Sequence, residues 1–311
     1  MSILAIDFGG TRTRAGWFSP SLELLARHEN LSRVERPVEA VIQTLIDTAR
    51  QVIPQGASPQ AIGICAPGPM DANKGIIHHA ATLPNWSNVP LASHISRTFG
   101  DAPTFMQNDG NLATLSEYRF GALQNSDPAI FMTISTGIGG GAVIGGKLFT
   151  GANGLAIEPG HMCIPHEGKI YKLEQLASGT ALGVWARKRL AESNTPSLLR
   201  GVPIDSVDGK SVGEMAQQGD DLALDIVAQA GYWLGMGIVN LLHLFNPQAI
   251  ALGGSVMKLG TLLLDSAQRA IDEHVLDASF YHADLIRAVA LGEDTGLMGA
   301  AAYAQTGVAL F

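Results

Sequence analysis

Residues 3–18 read ILAIDFGGTRTRAGWF, and residues 129–144 read AIFMTISTGIGGGAVI. Each begins with an apolar run of strand length and composition, residues 3–8 and 129–135. Each then breaks on glycine and threonine, at Asp7-Phe8-Gly9-Gly10-Thr11 and at Thr136-Gly137-Ile138-Gly139-Gly140-Gly141, and resumes as a second strand over 13–18 or 142–144. The stretches share a layout rather than letters. Standing at the heads of two half-chains, they point to an internal duplication. Outward from them, apolar spacing predicts helices over 37–53, 91–98, 221–245 and 261–274, with one starting near Asn111 and reaching Phe120. Short buried strands are expected at 61–65, 103–107 and 249–252, and small-residue helix at 296–304. Strands alternating with helices in both halves indicate an α/β protein.

The bulk properties agree. A chain of 311 residues exceeds the usual single core, so two domains are expected. It is 46% hydrophobic and 15% charged, with 36 glycines, which suits a compact protein rich in tight turns. The net charge of −8 and the lack of a basic run argue against a nucleic-acid surface. Two isolated thiols, Cys65 and Cys163, make no disulfide framework and suit a reducing cytoplasm. The start, MSILAIDFGG, has no leader pattern, and no apolar run reaches the ~18 residues of a membrane span. The richest stretch, 230–245, includes Tyr232, Asn240 and His243 and reads as a buried helix.

Several short motifs can carry chemistry, and each has a plainer reading beside it. The turn at Gly9, Gly10 and Thr11 lets backbone N–H groups approach phosphate oxygens, and Asp7 is placed to hold Mg²⁺ through water. An ordinary glycine hairpin would look the same. The second turn lacks the lysine of a phosphate-binding P-loop, and a strand rather than a helix follows it. Two such turns facing each other could clamp a triphosphate. Gly253-Gly254 after a buried strand either offers flat backbone to an adenine ring or is a strand-to-helix turn. Asp109 stands at a strand-to-helix junction, where it is either an N-cap or a general base with Asn108 binding a neighbouring hydroxyl. Glu158, His161 and Glu174 are candidates for adjacent sugar hydroxyls. His161, Cys163 and His166 form H-x-C-x-x-H, but a tetrahedral zinc needs further ligands and the other cysteine is Cys65.

Taken together, DFGGT (7–11), APGPMD (66–71), LPNW (83–86), ND (108–109), STGIGGG (135–141), EPGH (158–161), LEQLASG (173–179), NPQAIALGG (246–254) and LGEDTGLMGAA (291–301) resemble the ROK family of sugar kinases and sugar-responsive repressors. The resemblance implies an actin-like ATPase fold: two similar RNase H-like domains around a central cleft, with the last helix returning to the first domain. The expected units are 1–115 with 295–311, and 116–294. It implies ATP and Mg²⁺ as cofactors, a small-molecule sugar as substrate, and a homodimer. By position it makes Asp109 the catalytic base and places Gly68, Asn108, Glu158, His161 and Glu174 at the sugar. Gly9, Gly10, Thr11, Arg12, Thr136, Gly137, Gly253 and Gly254 would lie along the nucleotide.

Three departures stand out. Many members carry a cysteine zinc cluster after the EPGH-type histidine, whereas 166–172 here reads HEGKIYK. No zinc is expected, and the loop presenting His161 and Glu174 must be held otherwise. Thr82 stands where Asn is common, and Arg12 replaces the usual Lys, exchanging a point charge for a planar fork. The leading expectation is a glucokinase-like enzyme. The alternatives are a kinase for fructose, mannose, N-acetylmannosamine or N-acetylglucosamine, or a catalytically silent sugar-binding regulator. A repressor is disfavoured by the acidic charge and by Met1 lying six residues before Asp7.

Overall fold

The computed structural model describes residues 2–80 and 82–308. Met1 and residues 309–311, the ends of the expected first unit, lie outside the described residues. The first half runs β1 (Ile3–Phe8), β2 (Arg12–Phe18), β3 (Leu24–Leu31), α1 (Val38–Arg50), β4 (Ala61–Ala66), a small hairpin of β5 (Met70–Asp71) and β6 (Ile76–Ile77), α2 (Leu91–Thr98), β7 (Thr104–Asn108) and α3 (Asp109–Phe120). The second half runs β8 (Ala129–Ile134), β9 (Ile138–Ile144), β10 (Lys147–Leu148), β11 (Cys163–His166), β12 (Lys169–Lys172), α4 (Glu174–Ala177), α5 (Gly179–Glu192), α6 (Gly209–Gln217), α7 (Asp221–Phe245), β13 (Ala249–Gly253), α8 (Thr261–His274), β14 (Ile286–Ala288) and α9 (Thr295–Val308).

The two five-stranded sheets have orders β3-β2-β1-β4-β7 and β10-β9-β8-β13-β14. In both, the first three strands in sequence form an antiparallel meander, and the other two add in parallel beside the first. The register matches as well. Asp7, fifth in β1, faces Arg14 and Cys65; Thr133, fifth in β8, faces Gly139 and Gly253. The duplication read from residues 3–18 and 129–144 is therefore a duplication of topology, and the fold is the actin-like ATPase fold.

One face of the first sheet packs with α1 and α2 around Leu45, Ile64 and Trp86. Its other face meets α3 and α9 through Ile3, Cys65, Leu112, Leu115 and Leu297. Burying side chains such as Leu112 contributes about 1.5–3 kcal/mol each. The last helix does return to the first half. It comes so close that a Cβ on Gly63 would sit 2.0 Å from the Ala300 carbonyl, which is why β4 carries glycine there. On its opposite face α3 meets the second sheet through Ala113 and Tyr118. The second sheet's main core lies against α4 through α8. Helix α7 is long and apolar enough to cross a membrane by length and composition, but Ile226, Leu234, Ile238 and Leu242 are buried in that core. Asp220 caps its start and Asn246, with φ of 41°, ends it in the left-handed region.

The structure corrects the reading of the second glycine turn. The turn proper is Ser135 to Gly137, and Gly139, Gly140 and Gly141 already belong to β9. The reason is close packing. A Cβ at Gly141 would lie 2.3 Å from Thr114 Oγ1, and one at Gly110 2.5 Å from the Gly140 carbonyl. Glycine on both sides lets α3 settle on β9. The sequence also gave no sign of β3, the β11–β12 hairpin or α6, and α3 begins at Asp109, earlier than the apolar pattern indicates.

Both crossovers between the halves are tied at one buried carboxylate. Glu117 Oε2 accepts from Ala122 N (2.7 Å) and Ala290 N (3.1 Å), and Oε1 from Leu291 N (2.9 Å). Three backbone donors satisfy an anion that has lost its water.

Candidate active site

The carboxylates of Asp7 and Asp109 open on one cleft of about 520 Å³, with Ser135, Thr136, Gly137 and Glu174 on its other side. Asp7 reaches it because β1 ends there. Arg14 Nη1 donates to Asp7 Oδ2 (3.2 Å), and the buried Cys65 stands beside Asp7 on the neighbouring strand. Burial raises the Asp7 pKa, opposed by Arg14. Burial likewise pushes the Cys65 thiol well up, and the nearby Asp7 and Asp109 add to this.

Asp109 is not the cap of α3. Asn108 fills that place, its Oδ1 accepting from Asn111 N (2.8 Å). Asp109 is left in the first turn, where Oδ1 accepts its neighbour's Gly110 N–H (2.8 Å) and the side chain lines the cleft. Although exposed to the cleft, Asp109 is crowded by protein around it, and this crowding raises its pKa; the Gly110 bond opposes the shift and the Asp7 charge adds to it. Beneath the pair, Gln107 Oε1 accepts from Asn108 N (2.9 Å) and from Asn111 Nδ2 (3.3 Å). With Oδ1 committed to the cap, Asn108 has its Nδ2 donors to offer.

Of the other expected sugar residues, Glu174 lines the cleft and the rest are described by their neighbours. A Cβ on Gly68 would lie 3.9 Å from Asn108 Cβ. His161 Nδ1 stands 3.6 Å from Glu174 Oε1. The Glu158 carboxyl is held above its usual pKa mainly by burial; His161 opposes the shift, and Asp109 and Glu174 reinforce it. The turn from Glu158 to His161 lies on β9 so closely that a Cβ at Gly160 would be 2.1 Å from the Ile138 carbonyl. The loop that presents these residues is held by rings. His166 packs against Trp233 (4.8 Å between centroids), Tyr171 and Trp185 (6.0 Å each), joining the β11–β12 hairpin to α5 and α7. Cys163 is exposed, and among the described residues no three His, Cys, Asp or Glu side chains converge as a metal site.

The expected nucleotide residues divide. Gly9 N–H bonds the Arg12 carbonyl (3.0 Å) in a tight turn, Gly10 approaches Thr82, and Thr11 is exposed. Arg12 itself is half-exposed and paired with Glu29, which also takes Arg14 and Arg27 and is thereby lowered to about 2. Thr136 and Gly137 face the cleft, and Thr136 also borders a second cavity of about 660 Å³. Gly179 N–H donates to the Ser135 carbonyl (2.7 Å), so the start of α5 docks directly on this turn. Gly254, at φ of 96°, is demanded by the Ile134 carbonyl, 2.3 Å from where its Cβ would be. Gly253 is crowded by Val289 instead. The neighbours Ser255 and Val256 are the residues that border the second cavity, with Gly179, Gly183, Asp208 and Lys258.

Sequence reasoning missed Cys65, Gly296 and the second cavity's far wall. Cys65 sits just before APGPMD, and Gly296, whose absent Cβ would touch Asp7 Cγ at 2.7 Å, lies inside LGEDTGLMGAA. Motif position could have flagged both. Asp208 and Lys258 had no such signal.

A water-shelled Mg²⁺ fits this arrangement. It asks for one or two carboxylates and a ligand's phosphates; Asp7 and Asp109 line the same cleft, and the Asp7 charge bears on Asp109. Asp7 would hold it, and it would supply positive charge that offsets that repulsion.

The ROK family profile matches residues 3–307. Glucokinase from Thermotoga maritima is 31% identical over 309 residues, covering 97% of this chain and 96% of that protein. The ROK hexokinase structure from Thermus thermophilus superimposes with a TM-score of 0.83 at 30% identity, covering 100% of both chains. The ROK glucokinase of Streptomyces griseus, in complex with glucose and AMPPNP, gives 0.77 at 31% identity over 99% of this chain and 100% of its own. Repressors match as well: the xylose repressor of Bacillus spizizenii is 32% identical over 69% of this chain and 53% of its own length. With a profile spanning the two matched sheets, the cleft and the returning helix, the chain belongs to the ROK family.

Proposed function

We propose that this protein is an ATP-dependent hexose kinase that phosphorylates the 6-hydroxyl of a glucose-like sugar, with Asp109 as general base. The observation that carries the reading is the Asn108–Asp109 pair: Asn108 takes the helix cap and leaves Asp109 facing the cleft opposite the second turn. In this reading Asp109 accepts the proton of the attacking hydroxyl as the new P–O bond forms and the bond to the β-phosphate oxygen breaks, releasing ADP. Its raised pKa makes it a better proton acceptor than an ordinary aspartate once ionised. Asn108 donates through Nδ2 to an adjacent hydroxyl. Glu158 and Glu174 accept from others, His161 is oriented by Glu174, and Gly68 leaves room for the ring.

The nucleotide lies between the halves. The Thr136–Gly137 turn faces its phosphates, and α5, docked on that turn through the Gly179 N–H, adds the positive end of its dipole behind it. Gly9, Gly10, Thr11 and Arg12 approach from the first half, and the adenosine enters the cavity bordered by Gly179, Ser255 and Val256 beside Gly253 and Gly254. Mg²⁺ held through water by Asp7 supplies charge neutralisation at the phosphates. The working units are 1–115 with 295–311, and 116–294. The S. griseus complex with glucose and AMPPNP supports the choice of ligands.

A sugar-binding regulator without turnover is the second reading, favoured by the repressors in the family. The test is a screen of glucose, fructose, mannose and N-acetylhexosamines with ATP and Mg²⁺, following sugar phosphate and ADP together. Glucose-dependent product is expected. Tight sugar binding without any sugar phosphate would favour the regulator.

A further inference from the structure

Ile157 has φ of 64°, the left-handed region, immediately before Glu158. For a β-branched residue this conformation is a genuine outlier, because the branched Cβ crowds the carbonyl oxygen. Such strain persists only where the surroundings over-determine it, and it gathers at functional sites. Here the surroundings are visible on both sides. Upstream, Ala156 N–H bonds the Thr150 carbonyl (3.1 Å), closing the loop from 150 to 156. Downstream, Pro159 fixes one dihedral, His161 N–H bonds the Glu158 carbonyl (3.0 Å), and Gly160 lies flat on β9. Ile157 is the one joint between these two closed pieces. Its side chain packs against the main core of the second half, alongside Met162.

We infer that Ile157 is a positioning residue for sugar binding: its anchored side chain holds a strained joint that aims Glu158 at the cleft. Glycine would adopt the same backbone without strain, but it would leave the joint free to turn. Isoleucine instead gives stiffness, so Glu158 meets the sugar already oriented and loses less freedom on binding. Glu158 is well placed to use that stiffness, because its turn packs on Ile138 and carries His161 to 3.6 Å from Glu174, and both Ile138 and Glu174 line the cleft. The inference rests on the reading of Glu158 as a sugar ligand.

Three variants of the full chain separate the parts. Ile157→Gly and Ile157→Ala remove almost the same side chain but differ in their tolerance of positive φ. In ordinary backbone the alanine variant would melt higher; with a left-handed joint, the glycine variant melts higher. That ordering is independent of any activity, and the reverse order would remove the strained joint from the account. Ile157→Gly should raise the KM for the sugar about three- to tenfold, the cost of orienting one freed side chain, with the KM for ATP unchanged. Ile157→Val, which keeps the branch and most of the anchor, should restore the wild-type sugar KM. A glycine variant with unaltered sugar KM would overturn the positioning role. Calorimetric titration of the wild type with glucose and N-acetylhexosamines tells apart the failure of the underlying reading. No heat with any sugar would sink the sugar site, while the melting order still decides the joint.

Discussion

The fifth residues of β1 and β8 occupy the same place in two matching sheets, yet they are Asp7 and Thr133. Their strand partners differ in the same sense. Asp7 is flanked by Arg14, which bonds it, and by the Cys65 thiol, whereas Thr133 is flanked by Gly139 and Gly253. One half fills the position with charge and its supports; the other empties it to backbone. The contrast explains how a duplicated frame supports an asymmetric site. The first half carries both cleft carboxylates, Asp7 and Asp109, and the second presents a glycine turn, a helix start and cavities. Phosphoryl transfer asks for such a division, because it needs a base and a metal on one side and close, uncrowded donors on the other.

The comparison breaks most visibly at Asp7. Asp7→Asn keeps the shape but weakens the charge that would hold Mg²⁺, and turnover should fall about 10²–10³-fold, the scale for removing one preorganised electrostatic element. Measured kcat at saturating ATP and sugar checks this, with partial recovery expected as Mg²⁺ is raised. An unchanged kcat would mean that the first half's charge is ornamental.

The glycine side sharpens next. Gly140→Ala would bring a Cβ to 2.5 Å from the Phe131 carbonyl and 2.9 Å from Pro159, an overpacking that costs about 1–3 kcal/mol. Gly139→Ala meets only Thr133 Cγ2 at 3.5 Å and should leave the denaturation midpoint nearly unchanged. Equal effects at the two positions would argue against packing as the reason for the run. Between the halves, Glu117→Gln replaces an acceptor oxygen with an amide that cannot take a backbone N–H, and should cost about 2 kcal/mol in urea unfolding.

The smallest effect concerns pH. The Asp109 carboxyl is raised, so turnover should fall, as the medium is acidified, at a higher pH than the ~3.9 of a free aspartate. Because Asp7 contributes to that shift, the acid limb of Asp7→Asn should move to lower pH. The stability sign is opposite. A carboxyl raised on folding favours the folded state below its unfolded pKa, and that contribution is lost as pH rises through its folded pKa. At neutral pH Asp109→Asn should therefore melt no lower than wild type, and a clear drop in Tm would contradict the raised carboxyl.

The fold was largely legible in the sequence because its signals are local. Short apolar runs ending in glycine locate β1 and β8, and α7 runs over the span its apolar spacing indicates. Strand β3, exposed or half-exposed throughout with Arg27, His28 and Glu29 in its middle, had no sustained apolar run to mark it. Of the candidate site, Asp7, Asp109, Thr136, Gly137 and Glu174 were marked by their motifs and line one cleft, but their arrangement was not legible. Nothing in the letters says that Asn108 takes the cap and frees Asp109, since both residues are good caps. Nor could they say that Gly139 through Gly141 serve a strand packed on α3, or that Arg12 is drawn to Glu29, 17 residues away. Those outcomes depend on contacts between distant elements. The ring cluster at His166 is another case: its members come from β11, β12, α5 and α7.

The division of labour is tested most directly by Asp109→Asn, comparing ligand binding with product formation in one preparation. Glucose and an unreactive ATP analogue should bind within a few-fold of wild type, because Asn108, Glu158, Glu174 and the second half remain in place. Formation of sugar phosphate from ATP and Mg²⁺ should fall about 10²–10⁴-fold, the usual worth of a general base. Near-wild-type product formation by a folded Asp109→Asn protein would contradict the account.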